Sequence, residues 1–138
     1  MTRRHIRLAP LALALMVSAC HSNPSTSPTT TTSGLTTETF NGTVAVGGSD
    51  SKTFTVAVTG VVSVTLTAAS PSVTMGLGVG QPGGASGCVL LPGGSTTATA
   101  GTLAQLAGEV TPGTFCVQVY DVSNQTVPVS YTVTVAHP

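Results

Sequence analysis

From about residue 35 onward, apolar side chains return at every second position, and this period of two constrains the fold more than any other feature of the chain. Phe54, Val56 and Val58 alternate with Thr53, Thr55 and Ala57, and Val62, Val64 and Leu66 alternate with Ser63, Thr65 and Thr67. The pattern returns at Val73, Met75, Leu77 and Val79, at Phe115, Val117 and Val119, and at Val127, Val129, Tyr131, Val133 and Val135. Successive side chains of an extended strand point to opposite faces, so each run predicts a strand with one buried face. The break at Thr59-Gly60 predicts a hairpin between the first two runs. Gly76, Gly78 and Gly80 fill the opposite phase of the Met75 run, leaving one face of that strand without side chains. Either another backbone approaches that face closely, or the strand is a bulge-rich edge.

Turn residues punctuate the chain at Gly47-Gly48, Pro82-Gly83-Gly84, Pro92-Gly93-Gly94 and Pro112-Gly113. One stretch, 99–110, places Leu103, Leu106 and Ala107 at helical spacing, but Gly101 and Gly108 bracket a segment barely three turns long, and strand or loop is expected there. About seven to eight short strands over residues 35–138 predict an all-β fold, a single antiparallel β-sandwich of jelly-roll or immunoglobulin-like type.

The first 34 residues differ in character. Arg3, Arg4 and Arg7 precede an apolar run of ten residues, 8–17, interrupted by Pro10. Ten helical residues rise only ~15 Å against a hydrocarbon core of ~30 Å, too short for a permanent span. The run closes on Leu15-Met16-Val17-Ser18-Ala19-Cys20, with small residues just ahead of a cysteine. This leader resembles the signal peptide and lipobox of bacterial lipoproteins. The resemblance implies a cleaved signal peptide at 1–19, a diacylglycerol on the sulfur of Cys20, and an exported protein whose partner is the bacterial membrane. One acyl chain holds marginally, at ~0.8 kcal/mol per buried methylene, so several chains make a durable anchor. His21, rather than Asp, follows the cysteine, which implies the outer membrane or cell surface in a Gram-negative host. An ordinary secretory signal that abuts a cysteine is the other reading.

Residues 20–34 then give the lipidated cysteine and a tether, HSNPSTSPTTTTSG, without one apolar residue. Its fourteen residues span at most ~50 Å when extended. Past Cys20, Lys52 is the only Lys or Arg, set against Glu38, Asp50, Glu109 and Asp121. A domain with so little positive charge cannot neutralise a run of phosphates, which excludes nucleic acid as an electrostatic partner. With 41% hydrophobic and 6% charged residues, the chain is also unlike a disordered acidic tail.

Gly113-Thr114-Phe115-Cys116-Val117-Gln118-Val119 followed by Tyr131-Thr132-Val133-Thr134-Val135 is similar to the closing strand pair of bacterial pre-peptidase C-terminal domains. Ser51-Lys52-Thr53-Phe54-Thr55-Val56 and Val62-Ser63-Val64-Thr65-Leu66 resemble the early strands of that family, so the resemblance spans roughly 40–135. The central strand of many members carries aspartates, and some members bind calcium through carboxylates. The corresponding strand here reads Val73-Thr74-Met75-Gly76-Leu77-Gly78-Val79, and that property is not carried over.

In an exported protein Cys88 and Cys116 are free to oxidise, and two cysteines allow one intramolecular pairing. Closing a loop of about 29 residues stabilises by ~3–4 kcal/mol on the chain-entropy model. A redox or nucleophilic thiol is the alternative, without a CxxC spacing to support it. Catalysis has few parts: His21 lies in the tether and His137 is not expected to be preorganised, so no catalytic residue and no cofactor is assigned. Asp50 and Asp121, expected in loops and joined by Asn124, are weak calcium candidates. Phe54, Phe115 and Tyr131 fall in phase with core valines, whereas Tyr120 is out of phase and is the one candidate aromatic for ligand contact. Asn41-Gly42-Thr43 and Asn124-Gln125-Thr126 match a glycosylation pattern but, behind a bacterial leader, read as turns. The expectation is a membrane-anchored, non-enzymatic binding, adhesion or envelope-structural module, with an envelope polymer or protein as partner. The alternative is an accessory substrate- or carbohydrate-binding partner of a separate secreted hydrolase. Recognition is expected at the Gly-rich 76–84 segment and the 120–126 loop.

Overall fold

The computed structural model describes residues 34–138. They form β1 (Thr36–Val44), β2 (Ser49–Val56), β3 (Gly60–Ser70), β4 (Met75–Pro82), β5 (Cys88–Ala98), β6 (Leu106–Val110), β7 (Gly113–Tyr120) and β8 (Val129–His137). Two four-stranded antiparallel sheets, ordered β1-β8-β3-β6 and β2-β7-β4-β5, pack face to face. Only β4 and β5 follow one another within a sheet; every other connection crosses between sheets. This wrapping is that of a jelly roll. The immunoglobulin arrangement, with strands divided ABED and CFG, is not adopted.

The runs at 54–56, 62–66, 75–79, 115–119 and 129–135 supply the core, each by its alternate residues. Their outward neighbours are mostly Ser and Thr, as the period of two requires. Four local expectations are corrected. The Thr59-Gly60 break is not a hairpin, because β2 and β3 lie in different sheets and the chain turns a corner there. Val58 lies past the end of β2 and is exposed, and Val127 is likewise exposed in the loop before β8. Pro92-Gly93-Gly94 lies inside β5, where pairing jumps from Gly78↔Ser95 to Gly80↔Leu90 and residues 91–94 bulge out. Asn41-Gly42-Thr43 runs through the middle of β1 instead of a turn.

The 99–110 stretch is a loop leading into β6, held by backbone hydrogen bonds from Gly101 N–H to the Leu66 carbonyl at 2.9 Å and from Gln105 N–H to the Val64 carbonyl at 3.0 Å, and by the Gln105 side chain. Gln105 Oε1 accepts from the Leu66 N–H at 2.7 Å, and its Nε2 donates to the Thr99 carbonyl at 3.0 Å. An amide side chain here satisfies backbone groups that the end of the ladder leaves unpaired.

At the open side of the sandwich, edge strands β1 and β2 turn polar residues inward. Tyr131 donates its phenolic hydrogen to Asp50 Oδ2 at 2.9 Å, tying one sheet to the other. Lys52 Nζ lies 3.3 Å from Asp50 Oδ1 and 3.2 Å from Oδ2. Gly42 pairs with Tyr131, and a Cβ at Gly42 would collide with the phenol and the carboxylate together. Burial, then the hydrogen bond to and charge of Asp50, push the Tyr131 phenol above its ordinary value, so it remains a neutral donor. Farther along β8, His137 is fixed, contrary to expectation. The alternation of β8 carries its ring inward, Nε2 lies 3.0 Å from Glu38 Oε1, and the ring tilts against Phe54 at 5.4 Å. Inward charges on an edge strand block the arrival of a further strand.

Candidate functional site

The outer face of the β2-β7-β4-β5 sheet joins the segments that the sequence singled out. On β7, Phe115, Val117 and Val119 face the core, so Cys116, Gln118 and Tyr120 face outward. Their neighbours on β4 are the three glycines: Tyr120 pairs with Gly76, Gln118 with Gly78 and Cys116 with Gly80. The Tyr120 ring occupies the space above Gly76, where a Cβ would run into Cδ2, Cε2 and Cζ. Leu90 covers Gly78 in the same way. Above Gly80 passes the backbone itself, since a Cβ there would meet the carbonyl group of Val89. Close approach of another backbone is therefore what the bare glycine face admits at Gly80, whereas at Gly76 and Gly78 it admits side chains. The edge reading is overturned, because β4 lies between β7 and β5.

This approach follows from the β4–β5 hairpin folding back over the sheet. Cys88 reaches Cys116 across β4 and is bonded to it, with the two Cα atoms 5.8 Å apart and a sequence separation of 28. Nearer the hairpin tip, Ser51 Oγ on β2 donates to the Ser86 carbonyl at 3.2 Å. Gly84 and Gly87 turn the tip in the left-handed region, with φ of +71° and +76°, where other residues are strained.

Between this hairpin and the β1–β2 turn lies a concavity of about 330 Å³, lined by Gly47, Gly48, Ser49, Leu90, Gln118, Tyr120 and Asp121. Gln118 is only 6% exposed, and its side chain makes no hydrogen bond with any described residue. Sequence reasoning missed it, because an outward Gln between core valines reads as a wetted position. Only the folded-back hairpin covers most of it. Gln125 was also missed: it is buried, donates from Nε2 to Met75 Sδ, and leaves Oε1 without a partner among the described residues.

The two calcium candidates are occupied separately. Asp121 Oδ2 accepts from the Gly47 N–H at 2.7 Å, and Oδ1 accepts from Asn124 N–H at 3.0 Å and Gln125 N–H at 3.2 Å. These backbone donors, that of Gly47 first, hold its carboxyl below the ordinary value against a smaller opposing effect of burial. Asp121 thus fixes the corner where β7 ends. Asp50 lies in β2 rather than in a loop, and is held between the sheets by Tyr131 and Lys52. Asn124 turns its Nδ2 to the Thr74 carbonyl at 3.0 Å. Among the described residues no group of three or more His, Cys, Asp or Glu could hold a metal ion.

Cys20, the signal peptide and the tether lie outside the described residues, apart from Gly34. No helix among the described residues is long and apolar enough to cross a membrane. A scan against protein-family models finds no match to the chain, and a search of curated proteins also finds none.

Proposed function

We propose that this protein is a membrane-anchored, non-enzymatic binding or adhesion module of the bacterial envelope. Lipid on Cys20 holds it, residues 21–34 set its standoff, and the outer face of the β2-β7-β4-β5 sheet meets its partner; the module as a whole resembles a stand-alone pre-peptidase C-terminal domain. The supporting observation is how the few ionisable groups are used. Glu38 faces His137, Asp50 is held by Lys52 and Tyr131, and Asp121 is held by backbone N–H groups, so three of the four acids fasten strands or corners and only Glu109 lies exposed on the surface. The outer sheet, meanwhile, is made rigid by a disulfide. Loops and faces positioned by a rigid scaffold are where recognition resides.

Cells supplied with labelled palmitate should label the protein, and Cys20→Ala should abolish the label. Unlabelled protein in the periplasm or medium removes the anchor from the proposal. The processed, detergent-solubilised protein should retain an envelope component from solubilised cell envelopes. Turnover of a hydrolase substrate that survives purification and is abolished by substitution of Asp50, Asp121 or His137 overturns the non-enzymatic reading.

A further inference from the structure

We propose that the concavity beside Tyr120 binds a neutral sugar, as one pyranose unit of a glycan; this rests on the reading of the chain as a binding module and names the ligand class. Gln118 carries the argument. Its carboxamide offers two N–H donors and an acceptor oxygen, yet it is 6% exposed and bonds to no described residue. Most of the side chain is covered, and what remains open faces the concavity, so its amide pairs there only with water or with a ligand that displaces it. Because Gln118 lines the concavity, its polar atoms are accessible to whatever enters there.

The neighbouring groups narrow the ligand. Tyr120 is half-buried with its ring backed by the Gly76 backbone, a fixed aromatic surface for the C–H face of a sugar ring. Ser49, paired with Tyr120 across the strands, adds a hydroxyl at the rim. No cationic residue lines the concavity, and its one charged lining residue, Asp121, already has its oxygens on backbone N–H groups. Phosphate and carboxylate ligands would meet negative charge there without a counter-ion, and a purely apolar ligand would leave the amide unpaired. A volume of about 330 Å³ admits one ring with its water, not a folded chain. Leu90, which also lines the concavity, stands two residues from the disulfide at Cys88, so the cleft is preorganised.

The test is calorimetric titration of the processed protein with glucose, galactose, mannose, N-acetylglucosamine and their neutral oligomers, beside galacturonate and glucose 6-phosphate. At least one neutral sugar should bind saturably and the anionic sugars should not. Gln118→Leu should weaken that binding about tenfold, the loss of one well-made hydrogen bond, with no fall in thermal midpoint. Tyr120→Leu should weaken it comparably and Tyr120→Phe much less. Absence of saturable binding to every neutral sugar, binding that survives both Gln118→Leu and Tyr120→Leu, or preference for the anionic sugars overturns the proposal. A palmitate-labelled protein that retains an envelope component regardless of free sugar and of Gln118→Leu overturns the sugar site alone. A protein with neither label nor retained component overturns the module reading beneath it.

Discussion

One substitution, glycine to alanine, should have opposite signs at two strand positions of this sandwich. Gly80 and Gly108 both sit in strands, and neither has the left-handed φ that would strain an alanine. The generic effect of Gly→Ala inside a strand is a gain of roughly 0.5–1 kcal/mol, because the unfolded chain loses conformational freedom. At Gly108, paired with Val62 on the core-facing phase of edge strand β6, nothing lies within 4 Å of the new methyl. It points into a cavity of about 130 Å³ between Val62, Val79 and Leu91, so the gain should survive intact. At Gly80 the new methyl would fall closer than 3.0 Å to backbone atoms of Val89 and Leu90, and the adjoining Cys88–Cys116 bond restrains those atoms from moving away. Overpacking of this kind costs ~1–3 kcal/mol, which leaves a net loss of roughly 0.5–2 kcal/mol. For a domain of about one hundred residues, 1 kcal/mol shifts Tm by ~5 °C. Thermal unfolding followed by circular dichroism under oxidising conditions should therefore place Gly108→Ala ~2–5 °C above the parent and Gly80→Ala ~2–10 °C below it. Adding a dithiol reductant should narrow the Gly80→Ala deficit, since the hairpin can then lift. A Gly80→Ala protein at or above the parent, or a Gly108→Ala protein below it, refutes the argument.

Replacing Cys88 and Cys116 together by alanine should cost ~3–4 kcal/mol, or roughly 15–20 °C in Tm, from the closure of a 28-residue separation; a loss under ~1 kcal/mol in denaturant titrations would contradict it. Tyr131→Phe should cost ~1.5–3 kcal/mol, because the phenol donates to a carboxylate between the sheets; an unchanged urea midpoint would show the bond to be idle. Asp121 has a folded value below its unfolded value of ~3.9, so it stabilises the fold above that value and loses the contribution as pH falls through the folded one. Comparing Tm of the parent and Asp121→Asn from pH 7 down to pH 2 should show a gap that closes on acidification; a gap constant with pH would rule this out.

The five alternating runs were legible because a period of two reports which face of a strand is buried. It does not report which strand lies alongside. Val56 and Val62 alternate in the same manner whether their strands form a hairpin or face each other from opposite sheets, so the corner at Thr59-Gly60 could not be told from a hairpin. Val58 and Val127 continue the period beyond the point where pairing stops, and only pairing defines a strand end. Tyr120 was visible as an aromatic out of phase, and Gly76 as a position without a side chain. Their meeting depends on the register of β7 against β4, which no local pattern encodes. Gln118 was illegible for a different reason: its burial arises from a hairpin that folds over the sheet. His137 and Asp50 looked like isolated polar residues because their partners, Glu38 and Tyr131, are 99 and 81 positions away.

The inward side chains of Glu38, Asp50 and Lys52 on β1 and β2 bear on how such molecules behave as a population. Beyond residue 20 the charge is one lysine against four acids, so repulsion between copies is weak, and physiological salt screens it beyond ~8 Å. What keeps two copies separate on that side is local. An arriving strand would have to seal a carboxylate and an ammonium away from water while offering them no new partner, and salt does little to lower that barrier. Molecules anchored as proposed would share one plane, with much of their freedom of translation already lost. In such a layer the β1–β2 rim sets how densely the surface can be tiled before neighbouring sheets fuse.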